Sequence, residues 1–77
     1  MSTFDKVKEV ITKNPKIDAS KVVETASFKD DLHMDSLEQA ELIMEFEKAF
    51  DCEIPEEKAE KIATVGDAVK YLEALGK

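Results

Sequence analysis

The amino-acid sequence predicts a small all-α domain built from four helices. Apolar residues recur every three or four positions along most of the 77-residue chain, and no segment shows the strict alternation typical of a β-strand. Two prolines punctuate this pattern, Pro15 after the first periodic segment and Pro55 before the third. Neither a repeat nor a change in composition divides the chain, so we expect a single domain over residues 1–77.

The first helix is predicted near the N-terminus, where four apolar residues have helical spacing: Phe4, Val7, Val10 and Ile11. Pro15 is expected to end this helix. The connection from Pro15 to Met34 is about twenty residues long, and loops of that length without any structure are uncommon in compact domains. We therefore expect a short turn between Asp18 and Val23, and packing across the helices by the apolar residues Ile17, Val22, Val23, Phe28 and Leu32.

The second helix is predicted over residues 36–50. Asp35 is a good N-cap, and Glu38, three residues later, completes a capping box. Five apolar residues of this helix fall within an arc of roughly 120°. They are expected to form its core face: Leu42, Ile43, Phe46, Ala49 and Phe50.

Two shorter helices complete the predicted fold. Pro55 suits the first position of a third helix that continues through Lys61. Thr64 and Asp67 predict a capping box at the start of a fourth helix. We expect this last helix to bury Val65, Ala68, Val69, Leu72 and Leu75.

Negative charge is concentrated in one part of the chain. Eighteen acidic residues and eleven lysines give a net charge of −7, and residues 35–60 alone contain ten acids and two lysines. This excess disfavours nucleic acid and anionic membrane surfaces as partners, because phosphate groups require concentrated positive charge. A partner protein with a basic patch is favoured instead.

The sequence contains neither a predicted membrane span nor a targeting segment. A span needs about 18 consecutive apolar residues, and no such run occurs. The N-terminal run MSTFDKVKEV lacks the apolar stretch of a signal peptide. We therefore expect a cytoplasmic protein, or one in the matrix or stroma of an organelle if the chain is a mature form.

A narrow apolar strip is predicted on the side of the second helix that faces away from its core. The strip consists of Leu37, Ala40 and Met44, and four carboxylates flank it: Glu38, Glu41, Glu45 and Glu47. Single apolar residues are common on protein surfaces, so the strip can also be an ordinary part of the surface without a function. Its acidic border favours the alternative, that it is a binding surface.

The residues needed for independent catalysis are missing from the sequence. Ser36 would need a base and oxyanion donors to act as a nucleophile, and the lone histidine, His33, is expected to be a solvated loop residue. The single Cys52 excludes an internal disulfide. The acids Asp51, Glu53, Glu56 and Glu57 lack the spacing and glycine of a calcium loop. We expect neither an enzyme nor a metal site.

Two interpretations of Ser36 follow from the residues around it. Ser36 can simply occupy the first turn of a helix that Asp35 caps. Alternatively, Ser36 carries a phosphate ester, because free N–H groups and the helix dipole favour negative charge at a helix N-terminus. Asp35 would repel that group and direct it outward, as a tether requires.

A longer stretch carries a resemblance to a known family. The run DSLEQAELIMEFEKAFDCEIPEEKAEKIATVGDAVKYL, residues 35–72, resembles the acyl carrier proteins of dissociated fatty-acid synthesis. The likeness continues upstream through ASFKDDLHMDSL and, more weakly, to the first helix. In that family the serine of Asp-Ser-Leu carries 4′-phosphopantetheine.

The resemblance implies an antiparallel four-helix bundle with a short third helix and a long first loop. It also implies that a phosphopantetheinyl transferase, the holo-acyl-carrier-protein synthase, attaches the arm of coenzyme A to Ser36, and that its thiol carries growing fatty acyl chains as thioesters. The partners would be fatty-acid synthesis enzymes and acyltransferases with basic docking patches, and the carrier a monomer. The implied docking residues are Asp35, Leu37, Glu38, Glu41, Met44, Glu47, Glu56 and Glu60.

The resemblance further implies that the acyl chain folds back between the helices. The residues expected to line that acyl pocket are Leu42, Phe46, Ile54, Ala59, Ile62, Ala68 and Leu72. Four positions depart from the usual family pattern. His33 and Met34 replace a glycine and a small residue, Phe46 replaces a smaller aliphatic residue, and Lys48 interrupts the acidic stretch.

Two alternatives stay open at this point. One is a carrier of a polyketide, aminoacyl or specialised lipid pathway, which would share the serine and differ in its partners. The other, from a different class, is a small acidic helical adaptor in which Ser36 is phosphorylated or is only a part of the helix start.

Overall fold

The protein is an all-α bundle, as its sequence predicts. A computed structural model describes residues 2–77, and within them four α-helices occur together with one short 3₁₀ turn. The helices are α1 (Thr3–Ile11), α2 (Ser36–Phe50), α3 (Glu56–Ala59) and α4 (Val65–Ala74), and the 3₁₀ turn is Ala19–Lys21. Helix α1 contacts both α2 and α4. No helix within residues 2–77 is both long and apolar enough to cross a membrane.

Capping boxes start the three longer helices. The Ser2 hydroxyl accepts a hydrogen bond from the Asp5 N–H at 3.1 Å at the start of α1. At α4 the Thr64 hydroxyl accepts from the Asp67 N–H, also at 3.1 Å. The predicted capping boxes of α2 and α4 are therefore confirmed, and the box at α1 is an addition to the prediction.

One hydrophobic core joins the helices and the long first loop. The side chains of Phe28 and Phe46 are 1% and 0% exposed. The loop contributes Val22, Ala26, Leu32 and Met34 to the same core, so its predicted packing across the helices is confirmed. Of the residues predicted to pack there, Val23 is 48% exposed and therefore lies outside the core.

The predicted turn in the first loop is the 3₁₀ turn Ala19–Lys21, which Asp18 caps. The Ser20 hydroxyl and the Ser20 N–H donate to Asp18 Oδ1 at 2.7 and 2.9 Å. These two hydrogen bonds stabilise the charged carboxylate and hold the pKa of Asp18 below its ordinary value.

Helix α1 ends earlier than predicted. Its last residue is Ile11, four positions before Pro15. The Thr12 N–H donates to the Lys8 carbonyl at 2.9 Å, and the Thr12 hydroxyl donates to the same carbonyl at 2.8 Å. Thr12 therefore closes the final turn, and Pro15 lies in the loop beyond it.

Helix α3 and the end of α4 also differ from the prediction. Pro55 is the N-cap of α3 rather than its first residue, and the helix ends at Ala59 rather than Lys61. The Lys61 and Ile62 N–H groups donate to carbonyls three residues back, which tightens the chain and turns Ile62 into the core. Leu75, predicted to be buried, is the C-cap of α4 and is 44% exposed.

Candidate modification site and groove at Ser36

Ser36 is the first residue of α2, and its side chain is exposed. The cap of this helix is Asp35, whose backbone is extended and whose Oδ1 accepts from the Glu38 N–H at 2.8 Å. In return, the Asp35 N–H donates to Glu38 Oε1 at 3.3 Å. Because Asp35 performs the capping, the Ser36 hydroxyl is available to an incoming reagent.

The chain reaches Ser36 through an anchored and strained approach. The Met34 side chain is 6% exposed, and the Met34 N–H donates to the Phe28 carbonyl at 2.8 Å. His33 has a φ of 55°, in the left-handed region that glycine occupies most easily. This conformation gives a physical reason for the glycine that the resembled family commonly has at this position. His33 and Met34 therefore fix the direction in which α2 begins.

A groove opens beside Ser36, between α2 and the segment that contains α3. Its volume is about 630 Å³. Its apolar lining residues come from both walls: Ala40 and Ile43 from α2, and Ala59, Ile62 and Ala63 from α3 and the segment after it. The other lining residues, apart from Ser36, are polar or charged: Ser27, Lys29, Asp30, Gln39, Glu56 and Glu60. A chain tethered at Ser36 would thus have an apolar surface along which to lie.

Hydrogen bonds between distant loops hold this groove together. The Phe28 N–H donates to the Ala63 carbonyl at 3.1 Å, and the Val65 N–H donates to the Ala26 carbonyl at 3.0 Å. The Gly66 N–H donates to the Glu24 carbonyl at 2.8 Å. A Cβ atom on Gly66 would lie 2.9 Å from that carbonyl oxygen, so glycine permits the close approach. The first loop and the start of α4 therefore form one unit.

The apolar strip on α2 is exposed, as predicted. Leu37 and Met44 are 68% and 52% exposed, and Ala40 is also exposed. Among the predicted docking acids, the exposed residues are Asp35, Glu41, Glu56 and Glu60, whereas Glu38 and Glu47 are half-buried. Glu47 Oε2 accepts from the Ile54 N–H at 2.8 Å, so this carboxylate also fixes the chain after α2. The structure thus presents an acidic apolar surface next to Ser36.

Most of the predicted acyl-pocket residues lie in the packed core rather than in the groove. The buried ones are Leu42, Phe46, Ile54, Ile62, Ala68 and Leu72, and Ala59 is half-buried. Ala59 and Ile62 are the two that also line the groove beside Ser36. An acyl chain that entered among the remaining five would have to displace packed side chains.

Several groove residues escaped the sequence-based prediction. Two of them, Ser27 and Lys29, lie in the first loop, whereas Ala63 lies more than thirty residues later, before α4. The hydrogen bond between the Phe28 N–H and the Ala63 carbonyl brings these two segments together. No local pattern marks such residues. A long-range pairing has to be known before they can be assigned to the site.

One comparison with known proteins bears on this site. A family model described as "Phosphopantetheine attachment site" matches residues 5–72. The matched range includes the first loop, α2, α3 and all but the last two residues of α4. It therefore spans Ser36 and every residue of the groove.

Proposed function

The chain belongs to the phosphopantetheine-attachment family, and from this membership we propose that Ser36 is the attachment residue of a fatty acyl carrier. Membership makes the protein a carrier of covalent 4′-phosphopantetheine rather than an enzyme, and it implies modification by a phosphopantetheinyl transferase. The domain that performs this function would extend over residues 1–77. The adaptor interpretation of Ser36 is disfavoured by the same match.

The observation that carries the proposal is the exposed Ser36 hydroxyl at the start of α2, beside the groove and without a capping role. In the modification, the Ser36 oxygen forms a bond to the phosphorus next to the pantetheine of coenzyme A. The bond from that phosphorus to adenosine 3′,5′-bisphosphate breaks, and the hydroxyl proton leaves to a base of the transferase. The thiol of the attached arm then carries an acyl group as a thioester.

Two features support fatty acyl chains as the cargo. The apolar lining residues of the groove suit an alkyl chain better than a charged aminoacyl group; they are Ala40, Ile43, Ala59, Ile62 and Ala63. The resemblance to carriers of dissociated fatty-acid synthesis extends without a gap over residues 35–72. Carriers of polyketide, aminoacyl or specialised lipid pathways are the alternative, and transfer of an acyl group from each class of loading enzyme distinguishes them.

The acidic apolar surface of α2 is the proposed docking site for partner enzymes. Leu37 and Met44 provide exposed apolar contacts, and the neighbouring acids, Asp35, Glu38, Glu41, Glu47, Glu56 and Glu60, offer carboxylates to basic patches. Electrostatic complementarity of this kind mainly speeds and orients association. The partners we propose are the transferase, the fatty-acid synthesis enzymes and acyltransferases, each binding a monomer of the carrier.

Intact mass spectrometry tests the attachment site. Incubation with coenzyme A and a phosphopantetheinyl transferase should add about 340 Da to the wild type, whereas phosphorylation would add about 80 Da. Ser36→Ala should gain nothing and should keep the helical circular dichroism spectrum, because Asp35 supplies the cap. Ser27→Ala is the matched control, since Ser27 lines the same groove. The assignment would be contradicted if Ser36→Ala gained the mass of the arm, or if Ser27→Ala were the variant that failed to gain it.

Charge reversal tests the docking surface. Glu41→Lys should weaken binding to a fatty-acid synthesis enzyme more than Glu24→Lys, because Glu24 is exposed but lies on the first loop. Binding of the wild type should also weaken with salt, since the Debye length falls from about 10 Å at 0.1 M to about 3 Å at 1 M. Equal effects of the two reversals would argue against a localised surface.

A further inference from the structure

A turn closed by a backbone hydrogen bond lies next to two groove-lining residues, Lys29 and Ser36. The Met34 N–H donates to the Phe28 carbonyl at 2.8 Å, and both side chains are buried. Within the turn, the N–H groups of Asp31 and Leu32 donate to the Ser27 carbonyl at 3.0 and 3.1 Å. Residue 29 directly follows Phe28, and residues 35 and 36 directly follow Met34, so both segments start at this hydrogen bond. Their backbones are held near each other even though the chain between them loops outward.

Lys29 and Ser36 are both exposed and line the same groove. Among the groove-lining residues in the described part of the chain, Lys29 is the single cationic one. The other charged residues there are acids, namely Asp30, Glu56 and Glu60. At the start of α2, Asp35 and Glu38 add two more carboxylates. The charged side chains in and beside the groove are therefore acidic, with the exception of Lys29.

We propose that Lys29 forms an ion pair with the phosphodiester attached to Ser36 and holds the root of the arm over the groove. The inference rests on the proposed attachment at Ser36. A phosphodiester carries one negative charge, and the carboxylates of Asp35 and Glu38 repel it. A lysine ammonium is a compact charge with three donors on a flexible four-carbon stem, and it is a common ligand of phosphate.

In this role Lys29 is a positioning residue. Exposed ion pairs of this kind shift an equilibrium about two-fold to five-fold at moderate salt. The phosphate would therefore favour the Lys29 side of Ser36 without being locked there. The arm would start along the groove, away from Leu37 and Met44, and would remain free to leave when an enzyme docks on the exposed strip of α2.

Phosphorus NMR of the holo-protein tests the ion pair. Complete attachment at Ser36 is first established by intact mass. The ³¹P chemical shift is then followed as sodium chloride is raised from about 0.01 M to about 1 M, which shortens the Debye length from about 30 Å to about 3 Å. The samples are the wild type, Lys29→Gln, Lys29→Arg and Lys13→Gln. Lys13 is an exposed lysine outside the groove, so its variant matches the change in net charge.

The ³¹P shift of the wild type and of Lys13→Gln should move with salt, and most of that movement should be lost in Lys29→Gln. Lys29→Arg should retain it, because the guanidinium also pairs with phosphate. Nuclear Overhauser contacts should join the Lys29 side-chain methylenes to the first methylene of the arm. Equal salt responses in Lys29→Gln and Lys13→Gln, or absent contacts in a fully modified sample, would overturn this inference and leave the attachment intact. Failure of the mass increase would overturn both.

Discussion

The two helical walls of the groove, α2 and α3, are held in different ways. Helix α2 has 15 residues, a capping box and three buried side chains, Leu42, Phe46 and Phe50. Helix α3 has four residues, no side-chain hydrogen bond at its N-cap and no buried residue. Both contribute residues to the groove beside Ser36. Helix α2 is thus part of the hydrophobic core, whereas α3 lies at the surface of that core.

The difference indicates which wall can move. Isolated helical turns are marginal in water, so α3 depends on its neighbours for its position. Those neighbours are Ile54 before it and Ile62 after it, which are 6% and 4% exposed. A shift of α3 about these two anchors would widen the groove without opening the core around Phe46. We expect cargo of different sizes to be accommodated on the α3 side.

The largest effect is expected from Phe46→Ala in α2. Phe46 is 0% exposed, and its ring meets that of Phe50 edge-on with centroids 6.4 Å apart. Removing such a ring costs about 3–5 kcal/mol, which is as much as a core of this size typically supplies. The variant should be largely unfolded without denaturant. Urea unfolding followed by circular dichroism measures the change.

The α3 control is Glu57→Ala, which replaces an exposed residue with another good helix former. Its free energy of unfolding should stay within about 0.5 kcal/mol of the wild type. A loss in Glu57→Ala close to that of Phe46→Ala would show that α3 is as tightly coupled to the core as α2. The proposed division between a fixed and an adjustable wall would then be wrong.

The capping residues explain why α2 and α4 were predictable from the sequence. Asp35 with Glu38 and Thr64 with Asp67 are local signals, and the structure contains both capping boxes. The core face of α2 was predictable for the same reason, because helical periodicity is local. Its two outer members, Ile43 and Ala49, are half-buried, so the arc was slightly overestimated.

A local hydrogen bond at Thr12 and tertiary contacts elsewhere explain what could not be predicted from the sequence. The sequence around Thr12 contains no strong helix-stop signal, so the sequence predicts the end of α1 at Pro15. In the structure the Thr12 hydroxyl donates to the Lys8 and Glu9 carbonyls, and the helix ends there. The groove depends on the pairing of Phe28 with Ala63 across the molecule, so Lys29 could not be assigned to it beforehand. Most of the residues that the family resemblance assigns to an acyl pocket, Phe46 among them, are buried in the core, and their contact with cargo stays a prediction.

A smaller effect is expected from Asp35→Ala, which removes the cap of α2. Loss of an N-cap costs about 1 kcal/mol, because here the Glu38 N–H would lose its acceptor, Asp35 Oδ1. The variant should melt at a lower temperature than the wild type and should be modified more slowly at Ser36. Asp35→Asn keeps the hydrogen bond, so it should restore most of the stability without the charge.

Glu56→Ala is the matched change at α3, where no side chain caps the helix. It should leave the melting temperature nearly unchanged, because exposed substitutions without a partner stay within about 0.5 kcal/mol. Equal losses in Asp35→Ala and Glu56→Ala would mean that the starts of the two helices are equally important. That result would remove the contrast between the walls.

The smallest effect concerns Cys52, which lies in the link between α2 and α3. Its N–H donates to the Glu47 carbonyl at 3.1 Å, and its side chain packs half-buried against the core. Burial raises the pKa of the Cys52 thiol; Lys77 opposes this increase, and the charges of Glu47 and Asp51 add to it. Less thiolate is then present near neutral pH than in the unfolded chain.

The sign of this shift fixes the expected pH dependence. The pKa of the Cys52 thiol is higher in the folded state than in the unfolded chain. Its contribution to the free energy of unfolding is therefore complete at pH values below the unfolded-state pKa, and it is lost as the pH rises through the folded-state pKa. Alkylation by iodoacetamide, followed by mass between about pH 7 and pH 10, should therefore be slower in the native protein than in urea, with its midpoint at higher pH. Lys77→Gln should slow it further. Native and unfolded chains that react alike would show that the link opens freely, and the adjustable part of the molecule would then begin at the end of α2 rather than at α3.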